Sequence, residues 1–265
     1  MNKYLNIEGK KIHYTLEGTG TENVLLVHGF PESIKNWKGF DQLFSEKYRT
    51  LAIDLPGFGE SEPIAEVHTM TLFADVIKEV VEAEKISRFL LIGHSMGGYI
   101  GLEYARKYPG DLKGLVLLNS HALADSEEKK EGRLRQVEIL KSGKKAALMK
   151  DIIPLMFAKN NEEAYKDIID EFIRIAIETP TEAIIAALLG MRIRNNNLDF
   201  ARNLSLPLLV LGGDKDRLIP VDVTLMHRNP DNPNVQVEIL KNVGHASFIE
   251  APATAFEIIE TNMLK

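Results

Sequence analysis

Six consecutive residues, Gly93-His94-Ser95-Met96-Gly97-Gly98, constrain this chain more than any others. They stand directly after an apolar run, Phe89–Ile92, and directly before a helical stretch, Tyr99–Ala105. A serine flanked by glycines at a strand-to-helix junction requires a sharp, strained turn that lifts its Oγ above a sheet. Bulk at either glycine would collide with the crossing strand and helix. The serine also stands at a helix N-terminus, where free backbone N–H groups can hold a developing oxyanion.

The rest of the chain supplies the sheet. Val24–Val27, Thr50–Ile53, Phe89–Ile92 and Leu115–Leu118 are short, continuous and rich in branched residues, as strands covered on both faces are. Ile34–Glu46, Met70–Glu84 and Met96–Tyr108 read as helices between them, the second with Leu72, Val76, Val80 and Ala83 at helical spacing. This alternation predicts crossover units and a mainly parallel sheet, an α/β fold. Two edge-like segments precede it, residues 3–8 and Lys11–Glu17, expected to pair antiparallel around Gly9-Lys10. From about residue 122 to 200 only helices are expected, at Glu127–Lys141, Ala146–Phe157, Glu162–Glu178 and Thr181–Met191. Strands resume at Leu206–Leu211 and Val235–Leu240, before a last helix near Ala253–Leu264. The organisation predicted is a core domain of residues 1–120 and 201–265 interrupted by a helical cap, residues 121–200.

Composition narrows the chemistry. The 265 residues contain no cysteine, which excludes disulfides, thiolate zinc sites, Fe–S clusters and a thiol nucleophile. A net charge of -6, spread along the chain, argues against a nucleic-acid partner. No stretch approaches 18 uninterrupted apolar residues and the N-terminus has no signal-peptide pattern, so a cytoplasmic protein without membrane contact is expected. No phosphate-binding glycine pattern is present, and no two histidines have the close spacing of metal ligands; neither cofactor nor metal is expected.

Serine chemistry therefore directs the search for partners. A hydroxyl needs a general base, and the imidazole needs an acid to hold its tautomer. His245 follows the final strand, and Asp216 lies 29 residues before it in Gly212-Gly213-Asp214-Lys215-Asp216-Arg217, giving the order Ser95, Asp216, His245. Asp214 is a rival for the acid, because side-chain direction on an irregular loop is not set by sequence. Asn119, ending the strand before the cap, stands where an acid could reach the histidine, but an amide carries no charge. The backbone N–H groups of Met96 and Phe30, the latter in His28-Gly29-Phe30-Pro31, are the expected oxyanion donors. His28, Trp37, His121, Phe157 and Met191 are candidate pocket walls, as are apolar cap residues such as Leu134, Ile139, Leu148 and Ile152. Asp54 reads as structural, and Arg192 or Arg194 as a candidate contact for a substrate carboxylate.

Together these segments resemble the α/β-hydrolase superfamily with a helical cap, closest to its carboxylesterase and enol-lactonase-like branch. The resemblance runs from His28-Gly29-Phe30-Pro31 through Asp54–Ser61, Gly93–Gly98 and Gly213–Pro220 to Gly244-His245. It implies a mostly parallel eight-stranded sheet with helices on both faces, an antiparallel second strand and a cap inserted after strand six. It also implies the triad Ser95, Asp216 and His245. Relatives that open epoxides or remove halides look like they carry an aspartate where this chain has Ser95. The activity implied is hydrolysis of a small or medium carboxylic ester. Lactonases, carbon–carbon bond hydrolases and perhydrolases or haloperoxidases share the same set, and a non-catalytic small-molecule binding protein can share the fold. Monomer and dimer stay equally open.

Overall fold

Each apolar run becomes a strand in the computed structural model, which describes residues 1–265. The strands are β1 (Asn2–Ile7), β2 (Lys10–Glu17), β3 (Asn23–Val27), β4 (Arg49–Ile53), β5 (Phe89–His94), β6 (Leu112–Leu118), β7 (Leu208–Gly213) and β8 (Val235–Leu240). They form one sheet in the order β1-β2-β4-β3-β5-β6-β7-β8. Only β2 runs against its neighbours; every pair from β4 onward is parallel. β5 and β7 are buried along their whole length, whereas β1 and β8 alternate exposed and half-buried residues as edges do. β2 departs from the expected edge: its second half, Tyr14–Glu17, pairs with β4 as well, because Ile12 and Tyr14 find buried places beside it.

The register fixes where function can sit. Val27 lies opposite Gly93, His94 opposite Leu118, Leu118 opposite Leu211 and Gly213 opposite Leu240. The C-terminal ends of β3, β5, β6, β7 and β8 are thus level, and the loops that follow them share one edge of the sheet. Open parallel sheets bind ligands at that edge.

Helices cover both faces. Residues 34–46, expected as one helix, divide into a 3-10 turn (Ile34–Trp37) and α1 (Phe40–Ser45), because Lys38 and Gly39 adopt left-handed φ values of 39° and 92°. α2 (Met70–Ala83), capped by the Thr69 hydroxyl accepting from Leu72 N–H at 3.0 Å, packs with α3 (Met96–Lys107).

Between β6 and β7 the chain is wholly helical: α4 (Glu127–Lys141), α5 (Lys145–Ile152), α6 (Lys166–Glu178), α7 (Thr181–Arg192) and α8 (Leu198–Arg202). α5 ends before Phe157 because Pro154 converts the last turn to 3-10 geometry, Ile153–Met156. α8 spans the boundary drawn between residues 200 and 201. After β7 come α9 (Val221–Leu225), α10 (Ser247–Glu250) and α11 (Pro252–Met263), the last packing with α1. No helix is long and apolar enough to cross a membrane.

The helical segment shares the core of the sheet. Phe172 of α6 stacks on Phe248 of α10 at 6.4 Å, within one continuous apolar cluster. A buried ion cluster closes the segment's two ends: Asp125 pairs with Arg133, and with Arg194 at 2.7 Å. Burial would raise the Asp125 carboxyl, but the two guanidinium groups outweigh it and hold it below the ordinary range. Arg194 also donates to Leu123 and Met191 carbonyls and lies over the Tyr99 ring, so it braces the segment from within.

α7 seats against the core through a glycine. The Ala186 carbonyl accepts from His68 N–H at 3.0 Å, and a Cβ on Gly190 would stand 1.7 Å from the His68 carbonyl oxygen. Gly190→Ala should therefore cost about 1–3 kcal/mol or more of overpacking strain, read as a lower urea midpoint at unchanged slope. An unaltered midpoint would show that α7 can lift away from His68 without penalty.

Candidate active site

Ser95 occupies the turn between β5 and α3 with φ 48° and ψ -112°, a conformation that costs a non-glycine residue roughly 1–3 kcal/mol. Its backbone is held on both sides. Ser95 N–H donates to the Leu118 carbonyl at 3.0 Å, while its own carbonyl accepts from Gly98 N–H at 2.9 Å and the Ser120 hydroxyl at 2.6 Å. The glycines are required by contact distance. A Cβ on Gly93 would lie 2.3 Å from the Gly97 oxygen, and one on Gly97 would lie 2.1 Å from the Val27 oxygen.

His245 comes from the loop after β8, whose position is set by the Met156 carbonyl accepting both His245 N–H (2.7 Å) and Ala246 N–H (2.8 Å). Its Nδ1 faces Asp216 Oδ2 at 2.8 Å, so Nδ1 carries the hydrogen and Nε2 is left as the acceptor. The other Asp216 oxygen accepts Leu218 and Ile219 N–H, each at 2.9 Å. Burial pushes the Asp216 carboxyl up, but His245 and these amides prevail and hold it below the ordinary range. Asp214 instead accepts Asn242 N–H at 2.6 Å and braces the loop. Asn119 has a part that its weakness as an acid concealed. Its amide donates to Asp216 at 3.3 Å and to the Gly244 carbonyl at 3.0 Å, while its oxygen accepts from Ser247 Oγ.

Ser95 and His245 open into one cavity of about 500 Å³, with Phe30, Tyr99 and Met191 among its walls. The Phe30 N–H has no partner within the protein, and the Met96 N–H stands at the first position of α3, where no intrahelical acceptor exists. Of the candidate walls, only Met191 lines this cavity. His28 is buried below it, its Nε2 accepting Leu55 N–H at 3.0 Å. Trp37 packs among Phe40 and Phe248, and Phe157 against Tyr165 and Phe172. His121 lies behind Tyr99 at a ring distance of 5.2 Å.

The α4 wall also departs from expectation. Ser126, Lys129, Arg133 and Gln136, at helical spacing, turn a polar face to the cavity, whereas Leu134 and Ile139 are exposed. That spacing was present in the sequence as a signal. No group of three His, Asp or Glu side chains is placed to hold a metal ion.

A second charged pair went unsuspected. His94, beside Ser95 in sequence, faces Glu32 through Nδ1 at 3.1 Å and the His245 carbonyl through Nε2 at 3.0 Å. Both nitrogens face acceptors, an arrangement that favours the doubly protonated ring. Glu32 also accepts Gly29 N–H at 2.7 Å, so the pair ties together the loops after β3, β5 and β8. Burial opposes both charges. Their mutual attraction and hydrogen bonds nevertheless leave His94 raised above, and Glu32 lowered below, their ordinary values.

A family model for the alpha/beta hydrolase fold matches residues 22–143. Among solved structures, the malate-bound thermophilic esterase from Thermogutta terrifontis is 30% identical with a TM-score of 0.87, covering 98% of this chain and 97% of that one. A 2-hydroxy-6-oxononadienedioate/2-hydroxy-6-oxononatrienedioate hydrolase of Burkholderia vietnamiensis is 27% identical over 92% of this chain and 89% of its own. The dihydrolipoyllysine-residue acetyltransferase component of the acetoin cleaving system of Cupriavidus necator is 24% identical over 94% of this chain, which spans 65% of that protein's length.

Glu32→Gln should expose the weight of the buried pair. Breaking such a pair costs about 3–5 kcal/mol. A raised histidine contributes stability that is complete below its unfolded pKa of about 6.5 and lost as pH rises through its folded value. A lowered glutamate contributes above its unfolded value of about 4.5. The deficit in melting temperature should therefore be greatest between about pH 5 and 6.5 and narrow toward alkaline pH. A deficit independent of pH would mean that His94 is neutral.

Proposed function

The chain belongs to the α/β-hydrolase superfamily, and from that premise we propose that it cleaves carboxylic esters of small or medium size through an acyl-enzyme on Ser95. The observation that carries this reading is one cavity shared by a serine on a strained turn and a histidine whose other nitrogen is engaged by a buried aspartate.

In the proposed reaction His245 Nε2 takes the Ser95 proton as Oγ attacks the ester carbonyl. Negative charge develops on the carbonyl oxygen, and the Phe30 and Met96 N–H groups receive it. Asp216 balances the imidazolium. Collapse breaks the ester C–O bond, and His245 returns its proton to the departing alcohol. Water then enters, gives a proton to His245 and attacks the acyl carbon; the acyl C–Oγ bond breaks, His245 returns that proton to Ser95 Oγ, and the acid is released. Residues 121–200 act as the cap that bounds the substrate.

A second reading has its own support. The Burkholderia vietnamiensis relative bears the name of a hydrolase acting on 2-hydroxy-6-oxononadienedioate, and the polar α4 face suits a substrate with charged or hydrogen-bonding groups. A carbon–carbon hydrolase would turn over one such ketone and leave simple esters nearly untouched.

Brief exposure to a fluorophosphonate should add a single adduct mass to the native protein and none to Ser95→Ala. Asp216→Asn should retain the fold but lose on the order of 10⁴-fold in kcat on any ester cleaved, by analogy with the serine-protease triad. Folded native protein that takes no adduct would instead favour a binding protein on this fold.

A further inference from the structure

A second cavity, of about 180 Å³, opens off the first beside Phe30. The two share Phe30, Arg133, Gln136 and Leu218 as walls, so they are chambers of one site. Their chemistry differs. The smaller chamber is completed by Pro31 and by four apolar side chains, Ile152, Ile153, Leu155 and Met156, from the end of α5 and the turn that follows. The larger holds Ser95 and His245 under the polar face of α4. There the Lys129 ammonium, which lines only this chamber, makes no hydrogen bond or ion pair within the protein and is free to meet a polar ligand.

Resting on the reading of Ser95 as nucleophile, we propose that the small chamber is the acyl site and the large one the alcohol site. The preferred substrate is then an ester joining an apolar acyl chain of medium length, such as hexanoyl, to a polar alcohol. Proton delivery decides which arm goes where. The departing alcohol must lie within reach of His245, and His245 lines only the large chamber. The acyl arm stays on Ser95 with its oxygen at the Phe30 N–H, and Phe30 is the threshold of the small chamber. Volume limits length: a chamber of about 180 Å³ suits a medium acyl chain and not a long one. The chamber cannot readily drift, because the Met156 carbonyl in its wall accepts the N–H groups of His245 and Ala246. The same bonds that place the base thus place the acyl wall.

The test compares kcat/KM for 4-nitrophenyl acetate, hexanoate and dodecanoate in the native protein, Leu155→Trp and Ile152→Phe. Leu155 and Ile152 are only half-buried, so a larger side chain there grows into the chamber. At about fourfold per buried methylene, hexanoate should exceed acetate by up to on the order of a hundredfold, and dodecanoate should fall back. Either variant should lower the hexanoate-to-acetate ratio at least about tenfold. Should Leu155→Trp fail to fold, Ile152→Phe makes the same comparison with less added bulk. An isomeric pair then tests the direction: 2-hydroxyethyl hexanoate should be cleaved at least about tenfold faster than hexyl hydroxyacetate. A flat chain-length profile, ratios unmoved by either variant, or preference for hexyl hydroxyacetate would overturn the two-chamber assignment while Ser95 still accepts a fluorophosphonate. No label on Ser95 and no ester cleaved would remove the nucleophile reading, and this inference with it.

Discussion

The turn at Gly97 lies directly against the end of β3, where a Cβ would meet the Val27 oxygen at 2.1 Å. This contact sets the distance between the N-terminus of α3 and the loop carrying Phe30. With no side chain in that gap, the start of α3 can stand directly beside the end of β3. The strain at Ser95 has the same origin: with β5 fixed on one side and α3 on the other, φ must turn positive for the chain to pass. Three hydrogen bonds to the serine backbone hold that conformation.

Around the turn, carboxylates do the joining, and each has several partners. Asp216 is met by His245, two amides and Asn119; Glu32 by His94 and Gly29; Asp125 by Arg133 and Arg194. Asp54, read as structural, faces His13 at 2.7 Å and accepts Ile34 and Glu60 N–H. A buried charge without such company would be costly, which is why each sits where chain segments from distant parts of the sequence end together. Asp216 apart, these carboxylates touch none of the atoms of the proposed chemistry and act only through the segments they join.

The helical segment obeys a different logic. Apolar side chains of α6 and α7 turn into the core they share with the sheet. α4 keeps only Val137 and Leu140 for that purpose and offers polar groups to the cavity. The apolar lining comes instead from the short turn at Ile153–Met156, a place where Pro154 breaks the helix and the loop of His245 is bonded.

The strand pattern, parallel sheet and serine turn were legible in the sequence because they depend on neighbours in the chain: runs of branched residues, glycines at a junction, helical spacing. Ser95, Asp216 and His245 could be listed from local context and order, as could Phe30 and Met96. What local pattern could not carry was direction. Asp214 and Asp216 stand two residues apart on a loop, and only the level ends of β7 and β8 determine which faces His245. His28, Trp37, His121 and Phe157 looked like pocket walls by type and place, yet each is taken by a buried neighbour. The His94–Glu32 pair joins residues 62 positions apart, and its worth arises from removing both from water. Sequence determined which residues the chain could use at the sheet's edge; tertiary structure decided which of them face one another, because burial and contact across the sheet are properties of pairs that no single segment contains.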